Sequence, residues 1–210
     1  MSSRYQNAMI DLLRHGAVDG EPGLYGWNDI PVSEIGRQQM LQSTAVDLQY
    51  QQVFSSPLQR CHYFAREFCT RHRLPLQTLP DLKEMHFGDW DGKTFAELNS
   101  QWDALENFWQ KPAEITPPNG ESLSDFRDRI AQVWRDIVFS SQNTHTLVVA
   151  HAGVIRMILG DLLHVDWTSP DFYQRLRIDY GSVTRINILY SDDGEIYPQI
   201  RFIGRPSSIL

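Results

Sequence analysis

The chain has 210 residues, 41% hydrophobic and 21% charged; this is the balance of one globular domain with a proper core and excludes disorder, collagen and coiled coil as global descriptions. A net charge of −7 and a pI near 5.4 argue against nucleic acid or an anionic membrane as partner, because both demand a basic face. The longest uninterrupted apolar run, Leu147 to Ala150, is far below the roughly 20 residues of a membrane span, and the first residues lack the apolar stretch of a signal peptide, so a cytoplasmic protein is expected.

Ala8 to Leu13 is a short apolar run containing Asp11, cut off by Arg14-His15-Gly16, and it predicts a buried strand feeding a loop. After a loop through Gly20, Pro22, Gly23, Gly26 and Pro31, Ser33 is placed to cap a helix reaching about Leu48. Gln51 to Ser55 predicts a second strand. Ser56 then reads as a helix cap with Pro57 at the first helical position, and Leu58, Cys61, Ala65 and Phe68 mark one helical face. Cys61 and Cys69 are too few for a disulfide framework or a structural zinc site and read as buried, inert thiols. Arg60 falls in the first turn of a helix that follows a strand, where α/β folds meet their ligands.

Leu82 to Asp91 reads as a charged, aromatic loop. Phe95, Leu98, Trp102, Leu105 and Trp109 recur at helical spacing and predict one amphipathic helix, broken by Pro112 to Gly120. Ser122 or Ser124 caps the next helix, with Leu123, Phe126, Ile130, Val133, Trp134 and Ile137 on its buried face. Thr146 to Ala150 is a β-branched apolar strand, followed by His151-Ala152-Gly153 and a helix through Leu163. Ser182 to Tyr190 and Glu195 to Ile203 flank Asp192-Asp193-Gly194 and predict a terminal hairpin. Strands alternating with helices imply a three-layer α/β/α sandwich with a mostly parallel sheet and an antiparallel edge. The expected organisation is one domain over 1–210 with a helical cap or insertion at about 86–120.

Two apolar strands end alike, at Leu13-Arg14-His15-Gly16 and at Ala150-His151-Ala152-Gly153. Adjacent parallel strands would bring these imidazoles together. With Arg60 and Glu84, they form a pattern that resembles the histidine phosphatase superfamily, the group containing cofactor-dependent phosphoglycerate mutases and many small phosphatases. The resemblance implies a phosphoglycerate mutase-like fold and a phosphohistidine at His15. It further implies that Arg14, Arg60 in Ser56-Pro57-Leu58-Gln59-Arg60, and His151 bind the phosphoryl oxygens. Glu84, in Glu84-Met85-His86-Phe87-Gly88-Asp89-Trp90, would be the acid and base.

The chemistry is consistent with this assignment. Phosphoryl transfer needs an aligned nucleophile, cations around the equatorial oxygens and a proton donor for the leaving alcohol. Arginine forks match phosphate oxygens better than lysine does, and a protonated His151 would add charge. Glu84 can protonate the alcohol and then take a proton from the water that cleaves the phosphoenzyme. No cofactor and no metal are expected, since there is no His-Glu-x-x-His, EF-hand or Walker-type spacing. His62, His72, His145 and His164 read as surface or packing residues, and His86 as a neighbour of the site.

Within the family, Gly26-x-x-Asp29-x-Pro31, the Ser56 to Cys61 stretch and Asn119-Gly120-Glu121 look like bacterial α-ribazole-5′-phosphate phosphatases, which act in cobalamin nucleotide-loop assembly. Ala17 and Val18 depart from the frequent Glu-Ser or Glu-Thr after the nucleophile. The expected partner is a small phosphorylated metabolite, with Trp90 and Phe108 best placed to stack on a benzimidazole, and Phe95, Trp102 and Trp109 in the core. A phosphoglycerate would need a further cation for its carboxylate. The alternatives are a phosphoglycerate mutase, a broad sugar-phosphate phosphatase, or a non-catalytic phospho-ligand binding module. Oligomeric state is not legible.

Overall fold

The computed structural model describes residues 6–45 and 49–207. Its six-stranded sheet comprises β1 (Gln6–Arg14), β2 (Gln52–Ser55), β3 (Leu76–Thr78), β4 (His145–Ala150), β5 (Val183–Tyr190) and β6 (Ile196–Arg205), in the order β3-β2-β4-β1-β5-β6. The β3, β2, β4 and β1 strands run parallel, while β5 and β6 form the antiparallel edge as the terminal hairpin. The expected sandwich is therefore present.

Alternation along the strands divides the core into two layers. Ile10, Leu12, Phe54, Val148 and Ala150 pack against α4 (Leu123–Ser140) and α5 (Ala152–Leu163). Leu13, Val53, Leu147 and Val149 face α1 (Glu34–Ala45) and α2 (Gln59–His72), burying Met40, Cys61, Phe64 and Phe68. Cys61 and Cys69 are free and buried, as expected. Asp11 points into this second layer, where it is fully buried and held by Arg185, Tyr50 and His145.

The chain leaves β1 over one face and returns to β4, beside it, over the other. This strand-order reversal opens a crevice at the carboxyl ends of β1, β4 and β2, the place where α/β sheets bind ligands. The expected end of α1 near Leu48 lies outside the described residues, but its start is as read: Ser33 Oγ accepts the Gly36 N–H at 3.1 Å. Among the described residues no helix is long and apolar enough to cross a membrane.

Three local readings need correction. The predicted helix from Phe95 to Trp109 is shorter, because Thr94 and Glu97 exchange hydrogen bonds that start a 3-10 turn at Glu97, and α3 covers only Trp102–Gln110. Phe95 stays in the preceding loop, its N–H bound to Pro22 O. The α2 helix begins at Gln59, not Pro57, and the carboxylate of Asp29 caps it across the fold by accepting the Gln59 N–H at 2.7 Å. Short elements were missed: β3, a single turn pair around Pro80 to Trp90, and α6 (Pro170–Arg175).

Candidate active site

The parallel pairing of β1 with β4 places Arg14 opposite Ala150, and His15 N–H donates to Ala150 O at 2.9 Å. The next residues, His15 and His151, then meet with ring centroids 5.2 Å apart. The sequence expectation of adjacent imidazoles holds for this reason: two parallel strands in register end at the same level. Gly16 follows because a Cβ there would lie 1.9 Å from Gly36 O, so the loop can pack onto the start of α1 only without a side chain.

Both imidazoles are buried. Burial, with Arg60 and Arg14 nearby, drives the His15 pKa well below its usual 6.5. His151 is lowered well below the same value by burial and then by Arg60, His15 and Arg14. Both shifts favour the neutral rings, while the sequence expectation of a charged His151 concerns the ring beside a phosphoryl group, whose negative charge would act in the opposite sense. Desolvation beside fixed cations costs an imidazolium more than it gains here.

The tautomers follow from the partners. His15 Nδ1 lies 2.8 Å from Gly16 O; a carbonyl only accepts, so Nδ1 carries the proton and Nε2 keeps its lone pair. Arg60 Nε donates to His151 Nδ1 at 3.3 Å, which leaves His151 Nε2–H to donate to Ser56 Oγ at 2.8 Å. Ser56, read from the sequence as a helix cap, accepts the Leu58 N–H at 3.3 Å just before α2 and also orients the second histidine.

The two arginines differ. Arg14 Nη1 donates to Ile178 O at 2.6 Å, and its guanidinium carbon lies 3.7 Å from the Tyr180 ring centroid. Its Nε is buried without a partner, a donor available to an anionic oxygen beside His15. Burial lowers the Arg14 pKa, but guanidinium remains charged. Arg60 is fully buried, and its terminal nitrogens donate to the carbonyls of Asn28, Tyr25 and Gly26. The fork read from the sequence as a phosphate clamp is thus largely occupied by backbone. The loop that supplies those carbonyls is itself folded around Asp91, whose carboxylate accepts the N–H groups of Gly26, Trp27, Asn28 and Phe87.

Glu84 Oε1 accepts Met85 N–H and Oε2 accepts Gly153 N–H, each at 3.0 Å. The second bond ties the carboxyl to the first turn of α5, two residues from His151. A Cβ on Gly153 would stand 2.2 Å from Glu84 Oε1 and would push the carboxyl out of this position. Arg129, paired with Glu121 at 2.8 Å, fixes the Glu84 backbone by donating to Glu84 O at 3.3 Å. His86 lies against Trp27, with ring centroids 4.7 Å apart and the planes tilted by 49°.

A cavity of about 190 Å³ adjoins Glu84, lined chiefly by Met85, Phe87, Phe108, Trp109, Phe126, Gly153, Arg156 and Tyr173. This revises the aromatic assignments. Trp90 is buried core, its indole N–H spent on Gln101, whereas Trp109 lines the cavity and Trp102 is 41% exposed. Phe108 lines it as expected. The contacts that Ser56, Gly153, Arg129 and Arg156 make at this site escaped the sequence reading. The available signal for Arg156 was its place as the one charged residue between Ala152 and Gly160 in an otherwise apolar helix. The backbone of Ala17 is held by neighbours in α1 and its cap: Ala17 N–H donates to Gln39 Oε1 at 3.0 Å, and Ser33 Oγ donates to Ala17 O at 2.9 Å. Among the described residues no three His, Cys, Asp or Glu side chains cluster as a metal site.

Residues 10–196 match the sequence model of the histidine phosphatase superfamily, branch 1. A bifunctional protein of Mycobacterium tuberculosis is 32% identical over 195 residues, covering 86% of this chain but 50% of its own length, so the chain spans half of that relative. The adenosylcobalamin/alpha-ribazole phosphatase of Escherichia coli is 29% identical over 84% of this chain and 88% of its own. The solved mycobacterial glucosyl-3-phosphoglycerate phosphatase superposes with a TM-score of 0.80 at 25% identity, covering 95% of this chain and 99% of its own. With a match spanning most of its length, the chain belongs to the histidine phosphatase superfamily.

Proposed function

We propose that the chain hydrolyses phosphomonoesters through a phosphohistidine on His15. The observation that carries this reading is the commitment of His15 Nδ1 to Gly16 O, which leaves Nε2 with its lone pair free to act as nucleophile beside Arg14 and His151. In the first step the Nε2–P bond forms as the ester P–O bond breaks, and the Glu84 carboxyl gives its proton to the departing alcohol. Water then attacks phosphorus, Glu84 takes its proton, and the N–P bond breaks to release phosphate. Arg14, through Nε, binds a phosphoryl oxygen, and His151 joins it by turning its Nε2–H from Ser56 Oγ to the phosphoryl group. Arg60 contributes positive charge and orients His151, with any direct phosphate contact requiring one of its carbonyl bonds to be exchanged. The arginine charge serves in place of a cofactor or metal.

The alcohol lies in the aromatic cavity beside Glu84, and the 86–120 segment acts as its cap. Phe87, Phe108 and Trp109 offer faces for a flat ring, which with the likeness to the Escherichia coli enzyme favours α-ribazole 5′-phosphate as substrate. A cytoplasmic role in cobalamin nucleotide-loop assembly accompanies that substrate. The second reading, a phosphoglycerate-type ester, is favoured by Arg156, which supplies the cation that the sequence reading counted as missing. Comparing kcat/KM for α-ribazole 5′-phosphate and 3-phosphoglycerate tests this: a ratio well above one is expected, and a ratio near or below one removes the ribazole assignment.

A further inference from the structure

Arg156 stands apart from the other arginines of the site. Arg60 is engaged by three carbonyls, Arg129 by Glu121 and by carbonyls, and Arg14 by Ile178 O and Tyr180. Arg156 makes one hydrogen bond, Nε to Leu176 O at 2.9 Å, and among the described residues it has no ion pair. It lies on the same face of α5 as Gly153 and Met157 and lines the Glu84 cavity with them. Its surroundings are mainly aromatic and apolar, and burial lowers its pKa while Glu84 acts in the opposite sense.

A guanidinium anchored by Nε has its terminal nitrogens set in one plane, so little orientation is lost when a ligand arrives. An acceptor on the alcohol that enters this cavity meets no other cation among its lining residues. We propose that Arg156 is a specificity-determining residue that receives an acceptor oxygen of the leaving alcohol, a carboxylate above all, through Nη1 and Nη2. A bidentate carboxylate contact is the strongest form of this interaction. The inference rests on the phosphatase reading but not on the ribazole assignment, because it concerns one group on the alcohol and not the identity of the whole substrate.

The test uses two esters of nearly equal size, 3-phosphoglycerate and glycerol 3-phosphate, which differ in carrying a carboxylate or a hydroxymethyl group. The wild-type protein is expected to favour 3-phosphoglycerate by about tenfold or more in kcat/KM, the effect of a charge-assisted pair. Arg156→Gln should bring the ratio to within about threefold of one, chiefly through KM, and Arg156→Lys should recover part of it. A wild-type ratio near one overturns the proposal without any variant. So does an Arg156→Gln protein that loses rate equally on both esters, the result expected if Arg156 only ties α5 to Leu176. Absence of turnover of p-nitrophenyl phosphate by the wild type would instead count against the phosphatase reading itself.

Discussion

His15, Arg14, Arg60 and His151 reach the site from the ends of two neighbouring strands and the first turn of α2, whereas Glu84, Phe87 and Phe108 come from the irregular stretch between β3 and α4. On the proposed mechanism the phosphate side is the one held by backbone: Gly16 O sets the His15 tautomer, Ile178 O holds Arg14, and the carbonyls of 25–28 hold Arg60. The alcohol side is held by side chains reaching across long sequence separations, such as the Glu84 carboxylate with Gly153 N–H and the Arg129 guanidinium with Glu84 O. A group common to every substrate can be bound by the part of the fold least free to vary. The part that differs between substrates is met by a loop-rich segment that can vary without disturbing the sheet.

The sharpest break of this comparison is on the phosphate side. His15→Ala removes the nitrogen that the proposed mechanism uses to form the N–P bond, and turnover of every phosphomonoester should fall by at least about 10³-fold. Rapid quench with labelled substrate should trap acid-labile label on the wild-type protein and none on the variant. A fully active His15→Ala protein would sink the mechanism.

Glu84 joins the two halves, so its replacement should separate substrates by leaving group. In single-turnover measurements Glu84→Gln should slow release of a sugar alcohol by about 10²-fold or more, the usual worth of a general acid. Nitrophenolate departs without a proton and should lose much less. Equal losses on both would exclude Glu84 from protonating the leaving group.

Which parts of this were legible beforehand follows the same division. The strand-end histidines could be read because a buried strand interrupted by Arg-His-Gly is a local signal, and their meeting needed only that β1 and β4 be neighbours. The sandwich, its antiparallel hairpin and the faces of α2 and α4 were legible from apolar periodicity. Trp90 was misjudged because an aromatic in a loop gives no indication of which layer it packs into; here Gln101, brought round by the 3-10 turn, satisfies its N–H and lets it bury. Ser56 was read only in part because a serine before a proline looks like a cap, and only the tertiary position of His151 shows its second contact. The occupation of Arg60 by the 25–28 carbonyls depends on the Asp91 contacts, some 30 residues further along the chain from Arg60, and no local pattern encodes it.

The buried neutral histidines also set a stability trend. The unfolded chain binds protons at His15 and His151 near the usual 6.5, while the folded chain resists them, so the unfolded state takes up more protons below that pH. Stability should therefore be complete above about pH 7 and fall as the pH drops through 6.5, by up to about 1.4 kcal/mol per pH unit for each ring. Asp11 acts in a separate window. Burial would raise its pKa, but Arg185, His145 and Tyr50 more than offset this and hold it at about 2, so its contribution is lost only as the pH falls from 3.8 toward that value. Urea unfolding between pH 7.5 and 5 should show the first trend, and His151→Gln should flatten it. A stability independent of pH over this range would mean that the histidines are charged or exposed in solution.

The smallest effect belongs to the aromatic wall. Phe108 is buried, packs edge-on against Phe87 at 6.4 Å and Trp90 at 5.8 Å between centroids, and also lines the cavity. Replacement by alanine would confuse stacking with a hole in the core, whereas Phe108→Leu keeps most of the volume at a stability cost below about 1.5 kcal/mol. What it removes is the ring face. If an aromatic alcohol stacks there, kcat/KM for α-ribazole 5′-phosphate should drop by about fivefold, the equivalent of about 1 kcal/mol, while glycerol 3-phosphate, which has no ring, loses less. If the two esters fall together, Phe108 supports the cavity wall without touching the alcohol, and stacking would have to be sought at Phe87 or Trp109.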